Sequence, residues 1–90
     1  MSTFTVASRT TGVTYTNGGN IRIVHVYLYK TGTGGTFAAY VGGTLAAKAQ
    51  NNYDGGSMTF VVGKNQQYYI TGLSSPFNDY QWTEWDITNI

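Results

Sequence analysis

Cysteine is absent from this 90-residue chain, so no disulfide braces it and no thiolate is available as nucleophile or metal ligand. Charge is scarce as well. Asp, Glu, Lys and Arg make up 10% of the residues, against about 25% in ordinary globular domains. The five basic residues, Arg9, Arg22, Lys30, Lys48 and Lys64, are spread along the sequence. A nucleic-acid binder concentrates such residues in a patch, so no nucleic-acid partner is expected. No apolar run approaches the about 18 residues of a membrane helix, and membrane insertion is not expected. The opening MSTFTVASRT has no basic segment followed by an apolar one, so a signal peptide is not expected either. Helix signals are almost missing. The Ala-rich stretch 44–50 is too short to hold a helix alone. It lies between Gly42-Gly43 and Asn51-Asn52 and reads as a strand.

What the chain does have is glycine (12), tyrosine (8) and short β-branched or aromatic runs. Strand patterns recur over 3–8, 13–16, 21–30, 37–41, 45–49, 58–62, 67–71 and 80–87, separated by turn residues. Asn17-Gly18-Gly19-Asn20 and Gly42-Gly43 both carry the positive-φ residues of a tight hairpin, and Gly63-Lys64-Asn65 reads as a turn. The expected fold is a single compact all-β domain, an antiparallel, jelly-roll-like sandwich of about eight short strands. Residues 9–90 form this domain. Residues 1–8 are either its first strand or an N-terminal arm, the expected attachment segment.

The strand IRIVHVYLYK (21–30) is apolar on both faces. Alternation puts Ile21, Ile23, His25, Tyr27 and Tyr29 on one side and Arg22, Val24, Val26, Leu28 and Lys30 on the other. A two-layer sandwich covers only one face of each strand. A chain of this length buries only about 60–65% of its unfolded surface, and self-association is the remaining way to add buried area. One of the two faces is therefore expected to pack against further copies of the chain, and the face carrying Ile21, Ile23, His25, Tyr27 and Tyr29 is taken as that interface.

The catalytic inventory is thin. Glu84 and Asp86 share a strand face and could serve as a carboxylate pair, but a solvated face near the C-terminus is the expected reading. His25, the only histidine, has no Ser elbow or Cys nucleophile to act with and is read as a packed or interface residue. The glycine clusters lack the Gly-Lys-Ser/Thr continuation and helix of a phosphate loop. No enzymatic activity, cofactor or metal site is expected. Trp82 and Trp85, three apart on one strand, face opposite sides, so one is expected in the core and the other at a surface or interface. Tyr53, Asp54, Asp79, Tyr80, Trp82 and Trp85 are the candidate contacts for a ligand or partner, in and beside the polar loops 51–56 and 74–80.

Three stretches, taken together, resemble a known family. RTTGVTYTNGGNIRIVHVYL (9–28) is similar to the opening of a small β-domain found at the C-termini of bacteriophage tail fibres and in other phage virion proteins. In that family an Arg is followed by Gly-x-Thr-Tyr-x-Asn, a turn and a long apolar strand. GGTLAAKAQNNYDGGSMTFVVGKNQQYYIT (42–71) resembles its later strands, with Gly63-Lys64 standing where the family has a Pro-x-Gly turn. YQWTEWDI (80–87) resembles its final strand. The resemblance implies a homotrimeric virion protein without enzymatic activity. A chain with no fibre shaft suits a decoration or capping protein, partnered by itself and by larger virion proteins such as the major capsid protein. The alternative is the receptor-binding tip of a tail fibre, partnered by a host cell-surface glycan.

Overall fold

A computed structural model describes residues 2–6, 9–31, 35–51, 55–73 and 77–87, with the backbone alone over 2–6. Eight strands follow one another: β1 (Ser2–Val6), β2 (Tyr15–Thr16), β3 (Ile21–Tyr29), β4 (Gly35–Val41), β5 (Thr44–Asn51), β6 (Gly56–Val62), β7 (Gln67–Thr71) and β8 (Asp79–Ile87). They form two four-stranded antiparallel sheets. The order is β1-β8-β3-β6 in sheet A and β2-β7-β4-β5 in sheet B.

This order has a simple origin. β1 pairs with β8, β2 with β7, β3 with β6 and β4 with β5. The chain is thus one long hairpin ribbon, its tip at Gly42-Gly43, rolled up so that alternate segments fall in alternate sheets. β3 against β8 and β4 against β7 close the roll. That is the jelly-roll arrangement. At the tip Val41 pairs with Thr44, leaving a two-residue loop in which Gly42 (φ 58°) and Gly43 (φ 82°) both take positive φ. A type I′ hairpin requires this of its two central residues.

The ribbon bends three times, and a buried polar side chain ties each bend. Asn17 Nδ2 donates to the carbonyls of Asn20 (2.8 Å) and Gly63 (2.8 Å), while its Oδ1 accepts from the Gly18 amide. These bonds hold the links β2–β3 and β6–β7 together. Asn51 grips the backbone of Lys30 at both ends, donating to its carbonyl and accepting from its amide. At the third bend Arg9, in the β1–β2 link, reaches Glu84 on β8. The expected hairpin at residues 17–20 is therefore corrected. β2 and β3 lie in different sheets, and the tetrapeptide carries the chain across from one to the other. The turn residues that let a chain reverse also let it change sheets.

Val24, Val26 and Leu28 are fully buried and face Phe37, Ala39, Tyr68 and Ile70 of sheet B, with Met58, Phe60, Val62 and Trp82 completing the core. The even-numbered side of β3 is thus the inner side. The stretch 44–50 is strand, as its flanking residues imply. Residues 2–6 pair with β8 as the edge strand of sheet A, which is the first-strand alternative of the two expected for the N-terminus.

Candidate functional site

Glu84 and Asp86 alternate with the outward residues of β8 and point between the sheets, next to Trp82. The expectation of a solvated acidic face is overturned, since Glu84 is 1% exposed. Its carboxylate is fully engaged. Oε2 accepts from the Tyr68 hydroxyl (2.7 Å) and from Trp82 Nε1 (3.0 Å). Oε1 lies 3.3 Å from the guanidinium groups of both Arg9 and Arg22. Arg22 also grips Asp86 bidentately, Nε to Oδ1 at 2.5 Å and Nη2 to Oδ2 at 3.0 Å, and donates to the Tyr68 hydroxyl. The Arg9 guanidinium lies 4.3 Å from the centre of the Tyr15 ring, a cation–π distance.

Two arginines and two carboxylates cancel in formal charge, which lets the cluster sit among aromatic rings. The Arg22 fork holds the Asp86 carboxyl below its ordinary range. Burial, with the bond donated to Glu84, pushes the Tyr68 hydroxyl up to about 12. All four carboxylate oxygens of Glu84 and Asp86 lie within hydrogen-bond or ion-pair distance of a partner inside the protein. The cluster ties the β1–β2 link, β3 and β8 of one sheet to Tyr68 of the other. Sequence reasoning missed Arg9, Arg22 and Tyr68 as its members. The signal was present in Arg22, which shares the side of β3 that carries Val24, Val26 and Leu28. A charge on a core face calls for a counter-ion.

Ile21, Ile23, His25, Tyr27 and Tyr29 are brought together on the outer face of sheet A, each half-buried. His25 Nδ1 is 2.8 Å from the Thr59 hydroxyl on β6. Trp85 stands on the same face, paired with Ile23, and Asp79 is exposed at its rim opposite Tyr29. Trp82 belongs to the core, so its candidacy as a ligand or partner contact is withdrawn, while the expected division of the two tryptophans between opposite sides holds. Tyr80 points inward and stacks on Phe77 at 6.0 Å with 10° between the rings. Tyr53 and Asp54 lie outside the described residues.

On the outer face of sheet B, Tyr40 and Tyr69 stack at 5.2 Å, with Leu45 paired to Tyr40. A concavity between β5 and β6 is open and is lined by Thr36, Lys48, Ala49, Gln50, Gly55, Gly56 and Ser57, with no carboxylate or imidazole among the described residues of its wall. Among the described residues, no group of three or more histidines and carboxylates converges as a metal site would need. No family model, curated protein or solved structure matches this chain.

Proposed function

We propose that this chain is a non-enzymatic structural protein of a bacteriophage virion, a homotrimer that decorates or caps the capsid surface. The observation that carries the non-enzymatic part is the state of Glu84. Glu84, one of the two carboxylates that could have formed a catalytic pair, is engaged by two arginines, a tyrosine and a tryptophan inside the protein. The virion part rests on the motif residues of the resemblance, which have definite structural work. Arg9 reaches Glu84, the Tyr15 hydroxyl accepts from the Thr10 amide and Asn17 ties two links. The jelly roll, a fold used by viral capsid and lectin domains, adds support by analogy only.

Such a protein works by mass action, adding contacts to a lattice that is already assembled. Mass spectrometry of purified phage particles tests this reading. Hundreds of copies per particle are expected for a capsid protein. A handful of copies would move it to the tail or fibre, and absence from particles would end the proposal.

One observation favours the alternative of a glycan-binding tip. The stacked pair Tyr40–Tyr69 with Leu45, 45% exposed, gives the outer face of sheet B an aromatic platform. A glycan array separates the two. Saturable sugar binding lost in Tyr69→Ala would favour the tip, and a blank array favours decoration.

A further inference from the structure

Asn17-Gly18 is the one Asn-Gly step in the sequence. Glycine at 18 answers no demand of the backbone. Its φ lies outside the left-handed region, and an added Cβ would meet nothing within 4 Å. What a glycine there does change is the chemistry of the residue before it. With no Cβ in the way, its amide nitrogen can approach the side chain of Asn17 unhindered. The nitrogen then adds to Cγ. The N–Cγ bond forms, the amide proton passes to the departing Nδ2, the Cγ–Nδ2 bond breaks and ammonia leaves. The product is a five-membered imide. Water opens it at either carbonyl. Breaking the Cγ–N bond gives aspartate. Breaking the backbone C–N bond gives isoaspartate, with the chain running through Cγ. The sum is one water consumed and one ammonia released, with no oxidation or reduction.

The closed bend withholds each requirement of this reaction. The Gly18 amide donates to Asn17 Oδ1 at 2.8 Å, so its proton is held on the side-chain oxygen and not on the leaving nitrogen. Nδ2 gives its hydrogens to the carbonyls of Asn20 and Gly63, both at 2.8 Å, and of Val62 at 3.3 Å. None of these acceptors can return a proton to it as it leaves. The peptide between the two residues is pinned on both sides. The Asn17 amide donates to the Gln66 carbonyl and the Gly18 carbonyl accepts from the Asn65 amide, each at 2.9 Å, which opposes rotation into a ring. Asn17 is also buried, so water has little access to an imide formed there. Parting the β2–β3 link from the β6–β7 link lifts all four restraints together, and such local openings are part of native-state behaviour. Closing again is then opposed. Aspartate puts an oxygen where Nδ2 stood, facing two carbonyl oxygens with no hydrogen between them. A buried carboxylate without a donor is costly. Isoaspartate lengthens the backbone between β2 and β3 by one carbon.

We propose that Asn17-Gly18 is a self-modifying site gated by its own bend. Deamidation is suppressed while the two links are tied, proceeds once they part, and leaves a chain that cannot retie them. Water is the sole co-reactant. A chain that has come open is thereby removed from the set that can fold, independently of the virion reading above.

The full chain is aged in mildly alkaline buffer, once folded and once in urea above its unfolding midpoint. The peptide spanning residue 17 is followed by mass spectrometry, with aspartate and isoaspartate separated by chromatography. The folded chain is expected to react at least about a hundredfold more slowly, since the reaction follows the open population. Gly18→Ala is expected to unfold at or slightly above the wild-type urea midpoint, because its Cβ meets no neighbour, and to react several-fold more slowly in urea. Wild type aged in urea is then returned to buffer. Modified chains are expected to collect in the fraction that does not regain native β-sheet circular dichroism. Asn17→Asp is expected to show a lowered urea midpoint, and should it not fold at all, the refolding of aged wild type carries that arm. The proposal is overturned if folded and unfolded chains react at the same rate, or if modified chains refold as readily as unmodified ones. It is also overturned if Gly18→Ala reacts in urea as fast as wild type, which excludes the imide.

Discussion

At the level of single residues, Glu84 decides how the interior must be understood. Removing its charge while keeping its shape leaves two guanidinium groups facing one remaining carboxylate. Glu84→Gln is expected to cost about 3 kcal/mol in a urea titration, the scale of a broken buried pair. A solvated surface carboxylate would cost less than about 0.5 kcal/mol. Tyr68 gives the matching alkaline signature. Its hydroxyl holds its proton more tightly in the folded chain, with a pKa of about 12 against 10.0 unfolded. The stability this contributes is complete below pH 10 and is lost as pH rises from 10 toward 12. A hundredfold difference in proton affinity is worth at most about 3 kcal/mol. The urea midpoint should fall across that window in wild type. In Tyr68→Phe it should start lower and lose much of that slope. Asp86 acts in the opposite sense. Its carboxyl is depressed by Arg22, so the stability it adds is present at neutral pH and is lost as pH falls below the ordinary aspartate range. Asp86→Asn should flatten the acid limb of the stability curve.

At the level of elements, the bends of the ribbon matter more than the strands. Asn17 is 3% exposed, and its amide bonds three backbone groups in two different links. Asn17→Ala is expected to lower stability by about 2–3 kcal/mol, because the abandoned carbonyls remain inside. Gly72 sits where β7 leaves its sheet, at φ 115°, and a Cβ there would stand 2.2 Å from the Thr36 carbonyl oxygen. Gly72→Ala is therefore expected to cost at least about 2 kcal/mol, combining strain with a backbone clash. Both effects are read as shifts in thermal or urea midpoints. The strands themselves were legible in the sequence, because alternation and β-branched runs are local properties. The tip at Gly42-Gly43 was legible for the same reason. The bend at residues 17–20 was not, since its residues are those of a hairpin and only the distant partners Gly63 and Gln66 show that the chain crosses between sheets. The charge cluster escaped for a similar reason. Arg9, Arg22, Tyr68 and Glu84 are separated by up to 75 residues, and no local pattern joins them.

At the level of the whole molecule, the two outer faces differ, one carrying Ile23, Tyr27 and Trp85 with Asp79 at its rim, the other carrying Lys48 and a stacked tyrosine pair. The nested pairing has a further consequence. β1 to β4 lie before the tip and β5 to β8 after it, and every strand pairing in both sheets joins a member of the first set to a member of the second. Neither half of the chain contains a single hydrogen-bonded neighbour for any of its own strands. Cutting the peptide between Gly42 and Gly43 should yield two fragments that are each unstructured in isolation and obligatorily complementary when mixed. Circular dichroism of the separated fragments is expected to lack β-sheet signal, and an equimolar mixture should regain it with a concentration-dependent midpoint. A fragment that folds alone would mean that the roll is not a single ribbon. The protein is in this sense already a heterodimer of its own halves, joined by two glycines that serve as a tether.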